Sequence, residues 1–133
     1  MDRTLLKPIV ILAIALTTLV ACGPAAPSTP PDSGIRGLVM LAPTCAVQQE
    51  NDPDPCATTY AATLEIHDSA TERLVATVSS GADGRFEVRL PAGTYDIRPQ
   101  SAEVLPIGTP VDSVEVEAGR FTEVQVDFDS GIR

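Results

Sequence analysis

The chain has no tryptophan, one histidine (His67), one lysine (Lys7), three cysteines and two tyrosines in 133 residues. A single histidine excludes a multi-histidine metal centre and any histidine–histidine acid/base pair. An aromatic content of 4% argues against a platform of exposed rings for stacking on sugars. Positive charge is also scarce. Nine Lys+Arg stand against 18 Asp+Glu, for a formal net charge of −9, and a nucleic-acid binder needs a basic footprint. The length leaves room for one domain. Beyond residue 21 no stretch carries a 3.6-residue apolar period, so helices are not expected.

The first 21 residues have the anatomy of a secretory leader. Arg3 and Lys7 form a short basic region, and residues 9–21 (IVILAIALTTLVA) are almost wholly apolar. That run is shorter than the roughly 20 residues of a membrane-spanning helix, and its flanks are those of a signal peptide. The stretch Leu19-Val20-Ala21-Cys22 resembles a bacterial lipobox. The resemblance implies cleavage after Ala21, a diacylglyceryl group on the Cys22 thiol, and a new N-terminus open to acylation. An ordinary signal peptide with a chance cysteine is the alternative. With Gly23 rather than an aspartate after the cysteine, the resemblance implies export past the inner membrane in a two-membrane bacterium, or the outer face of the cell membrane in a one-membrane bacterium.

Removal of residues 1–21 leaves no lysine at all. The positive side chains are then Arg36, Arg73, Arg85, Arg89, Arg98, Arg120 and Arg133, seven against 17 Asp+Glu. Such a body is repelled by anionic lipid and nucleic acid. Residues 23–33 (GPAAPSTPPDS) hold four prolines and read as a tether. At about 3.1 Å per residue such a segment spans on the order of 30 Å. The expected organisation is a signal peptide over 1–21, a lipidated Cys22 and flexible tether over 22–33, and a folded domain over 34–133.

Cys45 and Cys56 remain. In an exported chain a pair is most simply one disulfide. It closes a polar loop that has no apolar period of its own. Two free thiols are the alternative, but no histidine or further cysteine lies near them to complete a zinc site. The same loop carries Glu50, Asn51, Asp52 and Asp54, oxygen donors of the kind calcium takes. It lacks a DxDxDG register and contains Pro53 and Pro55, so a solvated acidic loop is the simpler reading. No metal and no cofactor are expected.

From residue 34 the apolar residues alternate. Seven strands are expected: Ile35–Leu41, Thr63–Asp68, Arg73–Val78, and the segments around Phe86–Leu90, Tyr95–Ile97, Val114–Val116 and Val124–Phe128. Leu64, Ile66, Phe86, Val88, Leu90, Tyr95, Ile97, Val114, Val116, Val124, Val126 and Phe128 face one way, with polar or charged residues between them. Period two with one apolar side marks half-buried antiparallel strands. Turn residues separate them at Gly81–Gly84, Pro91–Gly93 and Ala118–Gly119. Asp83-Gly84 supplies the positive φ of a tight turn, and Phe86 and Tyr95 fill the space between sheets.

Asp83-Gly84-Arg85-Phe86-Glu87-Val88 followed by Leu90-Pro91-Ala92-Gly93-Thr94-Tyr95-Asp96-Ile97 resembles the carboxypeptidase regulatory-like domain. Gly34-Ile35-Arg36-Gly37-Leu38-Val39 is similar to that family's opening strand, and Thr63–Asp68 to its second. The resemblance spans residues 34–98 and implies a transthyretin-like (prealbumin-type), seven-stranded antiparallel Greek-key β-sandwich. The chain departs from it in the cysteine-bracketed insert at 45–56, and long loops on a rigid sandwich are where function tends to sit.

The transthyretin-like fold also includes a hydrolase that uses several histidines, an arginine and a C-terminal Tyr-Arg-Gly-Ser motif. Related iron dioxygenases use two tyrosines and two histidines. Here His67 is alone, the last residues are Asp-Ser-Gly-Ile-Arg, and Tyr60 and Tyr95 lack a second histidine, so no catalytic residue is assigned. Glu115, Glu117, Glu123 and Asp127 are expected to form an acidic face, either to keep sheet edges apart or to dock a basic protein. Asp32–Arg36 and Asp129–Arg133 are identical pentapeptides. The expectation is similar turn contacts at both ends, with Arg paired to Asp; a terminal recognition tag is the alternative. The functional expectation is a monomeric lipoprotein of the bacterial cell envelope, facing outside the cytoplasm. It is a non-catalytic binding or scaffolding module, held to the membrane by lipid and open to an envelope protein partner. The alternatives are a structural surface domain that binds calcium or a small ligand through 45–56, or a small hydrolase.

Overall fold

The computed structural model describes residues 31–47, 51 and 56–133. Residues 1–30, which include the expected signal peptide, Cys22 and most of the expected tether, and Glu50, Asp52 and Asp54 lie outside the described residues. Among the described residues nine strands follow one another: β1 Gly34–Ala42, β2 Thr58–Thr59, β3 Thr63–Asp68, β4 Leu74–Ser79, β5 Arg85–Arg89, β6 Gly93–Pro99, β7 Ile107–Gly108, β8 Val111–Val116 and β9 Phe121–Asp129. The seven expected strands are all present. The additional two, β2 and β7, have two residues each and carry no readable alternation.

The strands form two sheets. In the first, β1 is flanked on one side by β5 and β2 and on the other by β9, with β7 beyond it. In the second the order is β4-β3-β6-β8. One pairing differs from the antiparallel expectation. β1 and β9 run parallel over nine residue pairs, from Gly34–Phe121 to Ala42–Asp129. Alternation decides which side chains face the core but is blind to strand direction. β9 arrives by crossing from β8 in the opposite sheet, so no hairpin constrains it to run against β1.

Ile35 and Val39 of β1, Leu64 and Ile66 of β3, Ile97 of β6 and Val126 of β9 have no solvent exposure. Phe86, Leu90, Tyr95, Val114, Val116 and Phe128 complete the core between the sheets. Each such side chain contributes about 1.5–3 kcal/mol by leaving water. The Tyr95 hydroxyl donates to the Pro91 carbonyl at 2.8 Å, so the buried ring keeps its polar end satisfied.

The Asp83-Gly84 turn behaves as expected. Gly84 has φ +72°, and an added Cβ would lie 2.5 Å from the Val39 carbonyl oxygen, so only glycine fits. The Asp83 carboxylate accepts the Arg85 amide at 3.1 Å. Order begins before residue 34: Ser33 is buried, its hydroxyl donates to the Leu90 carbonyl at 2.7 Å, and the Leu90 amide returns a bond to the Ser33 carbonyl. Cys45 and Cys56 are joined as a disulfide with their Cα atoms 5.5 Å apart.

Candidate functional site

Alternation that buries one side chain must expose the next, so each sheet presents an outer face. On the first sheet, register stacks three rows across β5, β1 and β9: Arg89–Gly34–Phe121, Glu87–Arg36–Glu123 and Arg85–Leu38–Gln125. Gly34 has no side chain at the centre of the first row, where an added Cβ would lie 3.0 Å from the Phe121 ring. The guanidinium carbons of Arg36 and Arg89 lie 5.7 and 5.8 Å from the centroid of the Phe121 ring, within cation–π range. Arg36 also pairs with Glu123 at 3.0 Å. Arg36, Leu38, Arg85, Glu87, Glu123 and Gln125 line a groove of about 680 Å³ across this face. Three of the chain's eight arginines thus gather on one surface of an acidic protein.

The second sheet carries a connected polar network. Glu65 and His67 project from β3, Asp96 and Arg98 from the facing register of β6. His67 Nδ1 lies 3.0 Å from the Glu72 carbonyl oxygen and Nε2 lies 3.2 Å from Glu65 Oε2. The Glu72 carbonyl fixes a proton on Nδ1. Protonation of Nε2 then satisfies the Glu65 carboxylate, so the imidazole pKa is raised, first by the Glu72 carbonyl and then by Glu65. Glu65 is lowered by the Gln100 amide and by His67. Asp96 accepts from the Ser113 amide at 2.9 Å and the Ser69 hydroxyl at 2.6 Å, which hold its carboxyl below the ordinary range. Arg98 bridges Asp96 and Asp112. The network ends where β8 bulges at Ser113, which has φ +57°. Both ring nitrogens of His67 are therefore engaged, Nδ1 with the turn between β3 and β4 and Nε2 with Glu65 of its own strand.

Several expected features separate in space. Tyr60 packs on Phe128 with ring centroids 5.0 Å apart, and Tyr95 is buried, so neither tyrosine joins His67 in a site. Of the four acidic residues, Glu115, Glu117 and Glu123 line one groove between β8 and the start of β9, together with Arg120, and Asp127 lies apart from them. Glu115 lies on β8 and Glu117 just beyond it, whereas Glu123 and Asp127 lie on β9 of the other sheet. Glu117 pairs with Arg120 at 2.8 Å, and Glu123 with Arg36, so half of the expected acidic charge is neutralised by arginine. The two pentapeptides also differ: Arg133 does pair with Asp129 at 2.8 Å, but Arg36 pairs with Glu123 rather than Asp32. Among the described residues no three metal-ligating side chains converge. The calcium reading of Glu50, Asp52 and Asp54 falls outside the described residues, where Asn51 alone is placed, as an exposed turn residue.

No family model matches the sequence, and no curated protein matches it. A solved structure does match in shape. It is the crystal structure of GBS52, the minor pilin of the Gram-positive pathogen Streptococcus agalactiae, with a TM-score of 0.53 at 12% identity. The likeness is one of fold. It covers 76% of this chain and 46% of the pilin, so the chain spans about half that protein's length. What the match supports is the two-sheet β-sandwich.

Proposed function

We propose that this chain is an exported, lipid-anchored β-sandwich of the bacterial cell envelope, related to carboxypeptidase regulatory-like domains, that acts as a non-catalytic binding or scaffolding module. The observation that carries this reading is the order of segments. An apolar run closes on Leu19-Val20-Ala21-Cys22, a proline-rich stretch follows, and the sandwich begins directly after it. The Cys45–Cys56 disulfide supports an oxidising compartment. The engagement of both His67 nitrogens supports a structural role for the one histidine. The fold likeness to a minor pilin is in keeping with a module displayed outside the cell. The outer face of β5, β1 and β9 is the surface offered to a partner, because it combines Arg36, Arg85 and Arg89 with Glu87, Glu123 and the Phe121 ring.

Metabolic labelling of the full chain with an alkyne fatty acid tests the anchor. Label on the wild type, lost in a Cys22→Ser chain that retains residues 1–21, is the expected result. An unlabelled wild type, or a Cys22→Ser chain that is still labelled, overturns it.

A further inference from the structure

The outer strands of the two sheets differ in how they are guarded. An edge strand exposes a row of unpaired amides and carbonyls, which proteins blunt with charge, proline, bulges or brevity. β5 alternates Arg85, Glu87 and Arg89. β7 has two residues and lies between Pro106 and Pro110. β8 carries Asp112 and Glu115 and bulges at Ser113. β4 is the least guarded: Leu74–Ser79 reads LVATVS, without charge or proline, and its one bulge, at Val75, sits near its start. Leu74 and Val75 are 49% and 37% exposed. Val75 is skipped in the ladder with β3, and Ala76–Ser79 remain regular. Among the described residues nothing pairs with the outer side of β4.

We propose that the β4 edge pairs antiparallel with β4 of a second copy of this chain, joining two four-stranded sheets into one of eight strands. Charge selects that occupant. Two acidic copies repel over most of their surfaces, so an edge that pairs with itself must carry complementary charges at its own two ends. The strand is bracketed by opposite charges, Glu72-Arg73 before it and Asp83 and Arg85 after it. A two-fold register centred on Thr77 pairs Val75 with Ser79 and carries Arg73 of each copy to the Gly81–Asp83 turn of the other. Both groups are available for this. Arg73 makes no ion pair among the described residues, and Asp83 reaches Arg85 only at 3.9 Å. Such an interface is isologous and closes at two copies.

In-cell crosslinking of the full chain, with a photo-reactive p-benzoyl-phenylalanine in place of exposed Thr77, tests the proposal. The expected adduct has twice the chain's mass and maps to residues 73–81 of the second copy. Arg73→Asp and Asp83→Arg should each reduce its yield about tenfold, the scale of a lost interfacial charge pair. The double swap, which restores both contacts at once, should recover it. Absence of an adduct at twice the mass, mapping to another protein or another strand, or failure of the double swap to recover it would each overturn the proposal. Unchanged circular dichroism of the variants confirms that the fold is intact.

Discussion

Asp32-Ser33-Gly34-Ile35-Arg36 and Asp129-Ser130-Gly131-Ile132-Arg133 are the same five residues in two settings. The first leads into β1 between two neighbouring strands. Its serine is 2% exposed and its isoleucine fully buried, and its arginine reaches across to Glu123. The second runs past the end of β9, where no strand flanks it. Its glycine takes φ +78°, its isoleucine is 37% exposed, and its arginine folds back onto Asp129. Ser130 holds it to the end of β1, through its amide to Ala42 and its hydroxyl to Pro43. The Asp–Arg pair forms only in the second copy for a geometric reason. In an extended strand, residues four apart are separated by about 13 Å, whereas a turn brings them together. The pentapeptide has no conformation of its own, and neighbouring strands decide it.

Substitution of the two isoleucines should separate the copies most. Ile35→Ala removes a fully buried side chain and is expected to cost about 2–5 kcal/mol. Ile132→Ala, at a half-exposed position, should stay within ~0.5 kcal/mol. Urea unfolding of the disulfide-intact chain measures both, and equal losses would erase the distinction. The serines should differ less. Ser33→Ala leaves a buried carbonyl at Leu90 without its partner, for about 1–2 kcal/mol, against about 0.5–1 kcal/mol for Ser130→Ala.

The smallest effect is electrostatic. The Arg133 guanidinium and the Gly131 amide hold the Asp129 carboxyl down to about 2. A depressed carboxylate contributes stability above its unfolded pKa, about 3.9, and loses that contribution as pH falls through about 2. Asp129 is a surface group, so its share of total stability is small. Carbon-detected NMR titration should place its midpoint near 2, and Arg133→Ala should move the midpoint up toward the ordinary carboxylate range. An unmoved midpoint would remove Arg133 as the cause.

Much of the fold was legible from alternation. β3 has the expected bounds, Thr63–Asp68, because Leu64 and Ile66 are buried while Glu65 and His67 are not. Partners were not legible. The parallel β1–β9 pairing leaves no mark in either strand, since period two is the same in both directions. The charge network of the second sheet was missed for a related reason. Asp96, Arg98 and Asp112 meet His67 only through register, across 45 residues of chain from His67 to Asp112. Alternating charges on the outer sides of β3 and β6 were the available signal. The bulge that delivers the Ser113 amide to Asp96 has no sequence cue.

The parallel alignment of β1 and β9 has a mechanical consequence. The chain enters the ladder at Gly34 and leaves it at Asp129, at opposite poles of the sandwich. Tension applied between those two points pulls the strands past each other along their length. The nine paired residues then bear load simultaneously, in shear, rather than one after another as in an unzipping hairpin. Resistance to such a pull is set by the barrier to unfolding, not by equilibrium stability, so a domain of modest thermal stability built this way withstands force along the one axis that its two ends define.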